Sequence, residues 1–199
     1  MAESSPVTVT AAGAVASIVT RRLELVSLGP AEIRAMLERR AAALARPGDP
    51  QMGESTLRRR LLQMETDPAQ RPWLLRAMVE RATRTLCGRI GFHAPPSDAY
   101  RRETGADSVE LGYEVAPAFR RRGYAREAAL ALMRWAFETH GQRVFVLSIS
   151  PSNAPSMSMA RALGFTECGS QMDDVDGLEL ILVRKLSVWP PEWEAAPAA

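Results

Sequence analysis

The sequence predicts an α/β chain of the α+β kind, with a mixed, mostly antiparallel central sheet flanked by helices. Three observations carry that expectation. Short runs of alternating or wholly apolar residues follow one another closely enough to pair as antiparallel neighbours. Between them lie segments with helical spacing and strong helix formers. At one place only, a strand, a long helix and a second strand come in sequence, an order that favours parallel pairing with a right-handed crossover.

The elements follow in order. RRLELVS (21–27) alternates apolar and polar residues and reads as a strand, punctuated by Gly29 and Pro30. AEIRAMLERRAAALA (31–45) has helical spacing, RPGDPQMG breaks it, and ESTLRRRLLQMET (54–66) reads as a second helix. PWLLRAMVER and RTLCGRIGFH form a strand pair with a short turn near Ala82 and Thr83. PPSDAYRRETGAD is a polar loop, and VELGYEV (109–115) is a strand closed by Pro117. Residues 123–139 form a long helix, stopped by Gly141. RVFVLSIS (143–150) is a buried strand, and NAPSMSMARAL (153–163) is a short helix with Asn153 as N-cap and Pro155 in its first turn. FTECGSQ and LELILVRKL close the sheet as a pair joined around DDVDG. The parallel unit is VELGYEV, helix, RVFVLSIS, and ligands of such units bind beyond the carboxyl ends of the strands.

The chain of 199 residues is long enough for one domain with a full core. The reading divides it into a mobile tail (1–19), the domain (20–187) and a Pro/Ala-rich tail (188–199) that docks through Trp189 or Trp193. The start lacks the basic region of a signal peptide, and no run is apolar enough to span a membrane, so a cytoplasmic protein is expected. Cys87 and Cys168 are far apart and read as two buried thiols of a reducing compartment. His93 and His140 are the sole imidazoles, too few for a zinc site. Lys185 is the sole lysine, and the formal net charge is +2. That balance argues against a nucleic-acid module built on Arg58–Arg60 and Arg120–Arg122, which would show a steep salt dependence.

RRRGYAR (120–126) raises a physical question. Three arginines crowd the entrance to the long helix, where the macrodipole is positive and Asp or Glu is the usual choice. Gly123 is also costly near a first turn. Both costs make sense if an anion sits there. Gly123 and Ala125 leave the first turn bare, so a phosphate can approach the backbone N–H groups while the arginines add charge and forked donors. A solvated arginine cluster is the bland alternative. The nucleotide fingerprints G-x-x-x-x-G-K-[ST] and G-x-G-x-x-G are absent.

Arg120-x-x-Gly123-x-Ala125 resembles the pyrophosphate loop [QR]-x-x-G-x-[GA] of the GNAT superfamily of N-acetyltransferases. It follows a strand ending in Val115-Ala-Pro117, as in that family. SISPSNAPSMSMARALGF resembles the family's second motif, and RRLELVSLGPAEI its first strand and helix. ELGYEV, GYAREA and NAPS are most similar to the branch of ribosomal-protein alanine N-acetyltransferases, many of whose members use other acceptors. Matches of this kind run from about residue 21 to 186.

The resemblance implies a GNAT fold whose parallel unit forms the acetyl-CoA cleft. It also implies acetyl-CoA as cosubstrate, with Arg120, Arg121, Arg122, Gly123, Tyr124 and Ala125 holding it, Asn153 adding a contact, and a backbone N–H near Val115 serving the carbonyl oxygen. The reaction implied is direct attack of an amine, a protein N-terminus or a small molecule, by a monomer or homodimer. Glu110, Gly112 and Glu114 share one face of their strand. By resemblance Glu110 accepts the amine's proton, with burial raising its pKa. A solvent-facing carboxylate is the plain alternative, and Glu114 is the reserve. The tyrosine that many family members use to protonate the departing sulfur falls at Ala160, a departure from the pattern. Ser156 matches a serine of the ribosomal-protein branch in that role, against a plain first-turn serine. The departure keeps a non-catalytic acyl-CoA-binding domain as the rival reading. Asp173, Asp174 and Asp176 could attract a cationic acceptor, or simply make a solvated turn. His93 could face the acceptor, or simply end its strand.

Overall fold

A computed structural model describes residues 15–41, 53–174 and 177–193, with the side chains of residues 40 and 41 excluded. Among these residues eight strands and five α-helices form. In order they are β1 (Ile18–Val19), β2 (Leu23–Ser27), α1 (Pro30–Ala41), α2 (Glu54–Thr66), β3 (Arg76–Glu80), β4 (Leu86–Phe92), α3 (Arg101–Thr104), β5 (Val109–Val115), α4 (Tyr124–His140), β6 (Val144–Ile149), α5 (Ala154–Ala162), β7 (Thr166–Asp173) and β8 (Gly177–Lys185).

The chain folds as two compact units. One holds residues up to Gly91 together with Tyr113–Ala131; the other holds Phe92–Gly112 and the chain from Leu132 onward.

In the first unit, β1 pairs antiparallel with β2, β2 with β3 and β3 with β4. Leu23, Leu25 and Ser27 are buried while Glu24 and Val26 are half-buried, the alternation read from the sequence. α1 and α2 pack Ile33, Met36, Leu57 and Met64 against Leu74 and Leu75. Arg76 is 1% exposed and donates to the carbonyls of Ala16 (3.0 Å), Leu25 (3.3 Å) and Pro72 (3.0 Å). Burial lowers its pKa to about 10, so it stays charged at neutral pH.

In the second unit, β5 and β6 are parallel, pairing Val109 with Phe145 and Glu110 with Val146. The other edge of β6 pairs antiparallel with β8, and β8 with β7. β6 is buried at every position except Ser148, as expected of a strand covered on both faces. α5 buries Met157 and Ala160. The sole lysine, Lys185, ends β8 exposed to solvent.

The sheet is thus mixed and mostly antiparallel, with one parallel pair and flanking helices. The expected helix over 31–45 ends at Ala41 within the described residues, and 42–52 lie outside them. Three findings differ from the sequence reading. Ile18 and Val19, assigned to the tail, form β1, while residues 1–14 lie outside the described range. The polar loop after His93 contains α3, whose four residues are too few to show a period. Cys87 is buried, as expected, but Cys168 is only half-buried, and both are free thiols. Trp189 packs on Phe137 with centroids 5.7 Å apart, and Trp193, 9% exposed, meets Trp189 edge-on at 5.1 Å. Residues 194–199 lie outside the described range. Among the described residues no helix is long and apolar enough to cross a membrane.

Candidate active site

The first unit carries the arginine loop. After Val115 a short 3-10 turn (Pro117–Phe119) leads to Arg120, whose Nε donates back to the Val115 carbonyl at 3.0 Å. Arg121 (φ 61°) and Gly123 (φ 76°) both adopt the left-handed conformation, and α4 begins at the next residue. Only glycine takes that conformation freely, so Arg121 is strained, a feature that gathers at ligand clamps. N–H groups in such turns form concave anion sites. Arg120, Arg121 and Arg122 are all exposed.

A partner invisible in the motif supports the loop. Arg22 donates through Nη1 to the Arg122 carbonyl (2.8 Å) and lies over the Tyr124 ring at 4.7 Å. Its Nε also pairs with Glu127 at 2.6 Å. Glu127 accepts from Thr20 Oγ1 (2.6 Å) and the Arg22 backbone (2.8 Å) as well. Burial pushes this carboxylate up, but the bonds from Thr20 and Arg22 outweigh it and hold its pKa below the ordinary value. Glu127 therefore supplies the acidic residue that a first helical turn prefers. Tyr124 is 5% exposed and its hydroxyl donates to Glu80, so the ring anchors the loop.

Within the second unit, Glu110 leaves β5 with 14% of its side chain exposed and meets His93, whose Nδ1 lies 2.9 Å from its Oε2. Tyr100, from the segment before α3, donates to the same oxygen at 2.8 Å and lies 3.3 Å from Ser148 on β6. Gln171 of β7 continues the chain, donating to Ser148 Oγ (3.3 Å) and Glu179 of β8 (3.1 Å). Burial raises the Glu110 pKa, but the bond and charge of His93, with bonds from Tyr100 and Ser148, outweigh it, and the net direction is down. The expectation of a raised pKa for Glu110 is thus corrected, although burial acts in the expected direction. Burial, then the Glu110 charge, pushes Tyr100 up to about 12, so it is a donor at neutral pH. The reserve residue, Glu114, sits in the first unit and is paired with Arg89 at 3.0 Å.

Asn153 caps α5 as expected, its side chain accepting from Ser156 N at 3.2 Å. Asn153→Ala is expected to cost about 1 kcal/mol, read as a lower Tm. Ser156 is half-buried in the first turn, and Ala160 is fully buried. Asp173 ends β7 opposite Gly177, Asp174 lies in the turn, and Asp176 lies outside the described residues.

Sequence reasoning had no means of finding Arg22, Tyr100 or the His93–Glu110 contact. The paired arginines at 21–22 and the isolated tyrosine are unremarkable in one dimension; only the folded chain brings them to their partners.

Residues 22–166 match the family described as acetyltransferase (GNAT) domain. Similar solved structures include a GNAT-family acetyltransferase from Bordetella pertussis, 24% identical with a TM-score of 0.62, covering 84% of this chain and 98% of that one. Another is the ribosomal-protein-S5-alanine acetyltransferase from Vibrio fischeri (14% identity, TM-score 0.59, 88% of this chain and 99% of that one). A third is a dodecameric spermidine N-acetyltransferase from Vibrio cholerae (16%, TM-score 0.58, 83% and 95%). No curated protein matches the chain. A family match over most of the sequence, on a fold shared with these enzymes, shows that the chain belongs to the GNAT family and is an N-acetyltransferase.

Proposed function

We propose that residues 20–187 transfer an acetyl group from acetyl-CoA to a primary amine by direct attack. The observation that carries this reading is the loop from Val115 to Ala125. Its left-handed residues at 121 and 123, its exposed arginines and the head of α4 fit a pyrophosphate. Arg120, Arg121, Arg122, Gly123 and Ala125 would hold it, with the Tyr124 backbone. Arg22 and Glu127 brace the loop. Asn153 would add a contact from the cap of α5, and the Val115 N–H would serve the carbonyl oxygen. When bound, acetyl-CoA supplies an acetyl group already activated as a thioester.

The chain's own residues then have two tasks. The ammonium form of the acceptor must lose a proton, and the Glu110 cluster is the group for that. The departing sulfur needs a donor, and Ser156 Oγ takes that role in place of the tyrosine absent at Ala160. Ser156→Ala leaves the backbone capping bond intact, because Asn153 accepts from the Ser156 N–H. Turnover should fall roughly tenfold to a hundredfold, the contribution of a hydrogen bond to a charged group, with the acetyl-CoA dissociation constant nearly unchanged. An equal loss in both would assign the serine to binding.

The acceptor is a protein N-terminus or a small-molecule amine, and the structural neighbours include a ribosomal-protein-S5-alanine acetyltransferase and a spermidine N-acetyltransferase. A cytoplasmic monomer or homodimer completes the reading. The deciding experiment is an acceptor screen with acetyl-CoA, read as thiol release. Binding of acetyl-CoA with no release for any amine would favour a non-catalytic acyl-CoA-binding domain.

A further inference from the structure

We infer that His93, held by Glu110, is the group that takes the proton from the acceptor amine, and that Glu110 acts as its positioning residue. This rests on the acetyltransferase reading and names the proton acceptor within it.

Three contacts place His93, one through its backbone and two through its ring. His93 follows directly on β4, and its backbone N–H donates to the Glu110 carbonyl at 2.9 Å. Its Nδ1 meets the Glu110 carboxylate at 2.9 Å. The other ring nitrogen, Nε2, lies over Gly112, two residues along the same face of β5. A Cβ at Gly112 would come within 2.6 Å of Nε2, so any side chain there would displace the ring. β5 thus provides both a carboxylate for one nitrogen and a bare backbone beneath the other.

Exposure divides the roles. The carboxylate is 14% exposed and already accepts from Tyr100, whereas the imidazole is 44% exposed. An amine arriving from solvent reaches the ring, not the carboxylate. Hydrogen bonds that stabilise the ionised carboxylate also weaken it as a base. Histidine is the side chain most often used as a general base, and its second ring nitrogen accepts a proton while the first donates. With Nδ1–H donated to Glu110, the proton is accepted at Nε2, and the carboxylate offsets the charge that forms. Tyr100 from the segment before α3 and Ser148 from β6 face the Glu110 carboxylate. Gln171 and Glu179 stand behind them on β7 and β8.

The step balances simply. The proton passes from the ammonium nitrogen to Nε2, the N–H bonding pair stays on the amine as its lone pair, and the imidazolium returns the proton to water.

The test combines turnover and spectroscopy. His93→Gln should lower kcat by about 10²–10⁴-fold at neutral pH, with recovery as pH rises toward the amine's own pKa near 10.4. Its affinity for acetyl-CoA by calorimetry should not change. Gly112→Ala keeps every polar group and shifts the ring, so it should reproduce that profile in weaker form. Nitrogen NMR of the ligand-free wild-type protein should show the neutral ring protonated at Nδ1 and bare at Nε2. Glu110→Gln should alter that tautomer balance. Wild-type turnover with an unchanged pH profile in His93→Gln, or Nε2 protonated in the neutral ring, would overturn the assignment. Those results would leave the acetyltransferase reading standing. That reading fails separately, if the wild-type protein releases no thiol with any amine.

Discussion

Replacing Gly123 with valine is expected to weaken acetyl-CoA binding by about tenfold to a few hundredfold. That range follows from losing one or two charge-assisted hydrogen bonds of about 1.5–3 kcal/mol each, given tenfold per 1.4 kcal/mol. Gly123 has φ 76°, and a Cβ there would already lie 3.3 Å from Arg22 Nη2. A branched side chain adds bulk where a phosphate must approach the backbone. It also adds left-handed strain of about 1–2 kcal/mol, which by itself affects stability more than binding. Gly141→Val separates the two effects. That residue has φ 67°, and a Cβ added there would meet nothing within 4 Å, so the variant carries similar strain away from the loop. Calorimetry should show the affinity loss in Gly123→Val alone, while both variants melt earlier. Dephospho-acetyl-CoA, whose pyrophosphate is intact, should bind the wild-type protein. Unchanged affinity in Gly123→Val would remove the loop from the cofactor site.

The largest effect on stability is expected at Arg76. Its guanidinium is enclosed in the first unit and bonded to the carbonyls of Ala16, Leu25 and Pro72. Arg76→Ala removes those donors and leaves a cavity, at a combined cost of about 3 kcal/mol or more. That is a large share of the roughly 5–15 kcal/mol by which folded proteins are stable. Arg76→Met fills most of the volume without donating. If orphaned carbonyls dominate, methionine recovers little; if the cavity dominates, it recovers most. Urea denaturation of the variants measures the difference. The three carbonyls that Arg76 serves carry none of the roles proposed for Glu110 and His93, so turnover per folded molecule should hold.

Much of the architecture was legible because it depends on local signals. α2 runs from Glu54 to Thr66 as read, since a proline and glycine cluster precedes it and helix formers fill it. β5 matches its reading residue for residue, and Asn153 caps α5 as its side-chain chemistry predicts. The loop at 120–125 was legible as a motif, but its bracing was not. Arg22 reaches the Arg122 carbonyl across 100 positions of chain, and no periodicity encodes such a contact. The same holds for Tyr100, hidden in a polar stretch whose helix is a single turn. The sign of the Glu110 shift was missed for a related reason: burial was foreseeable from strand alternation, whereas the three donors that outweigh it come from other segments.

Lys185, exposed at the end of β8, gives the protein an unusual experimental property. An enzyme assayed for acetylating amines often becomes its own substrate, and surface lysines then blur both the kinetics and the mass spectrum. Here only one side-chain amine can be modified. A single peptide therefore reports all lysine self-acetylation, and Lys185→Arg would abolish that background while keeping the charge. The same residue is the one side-chain amine through which a dye or a surface can be attached.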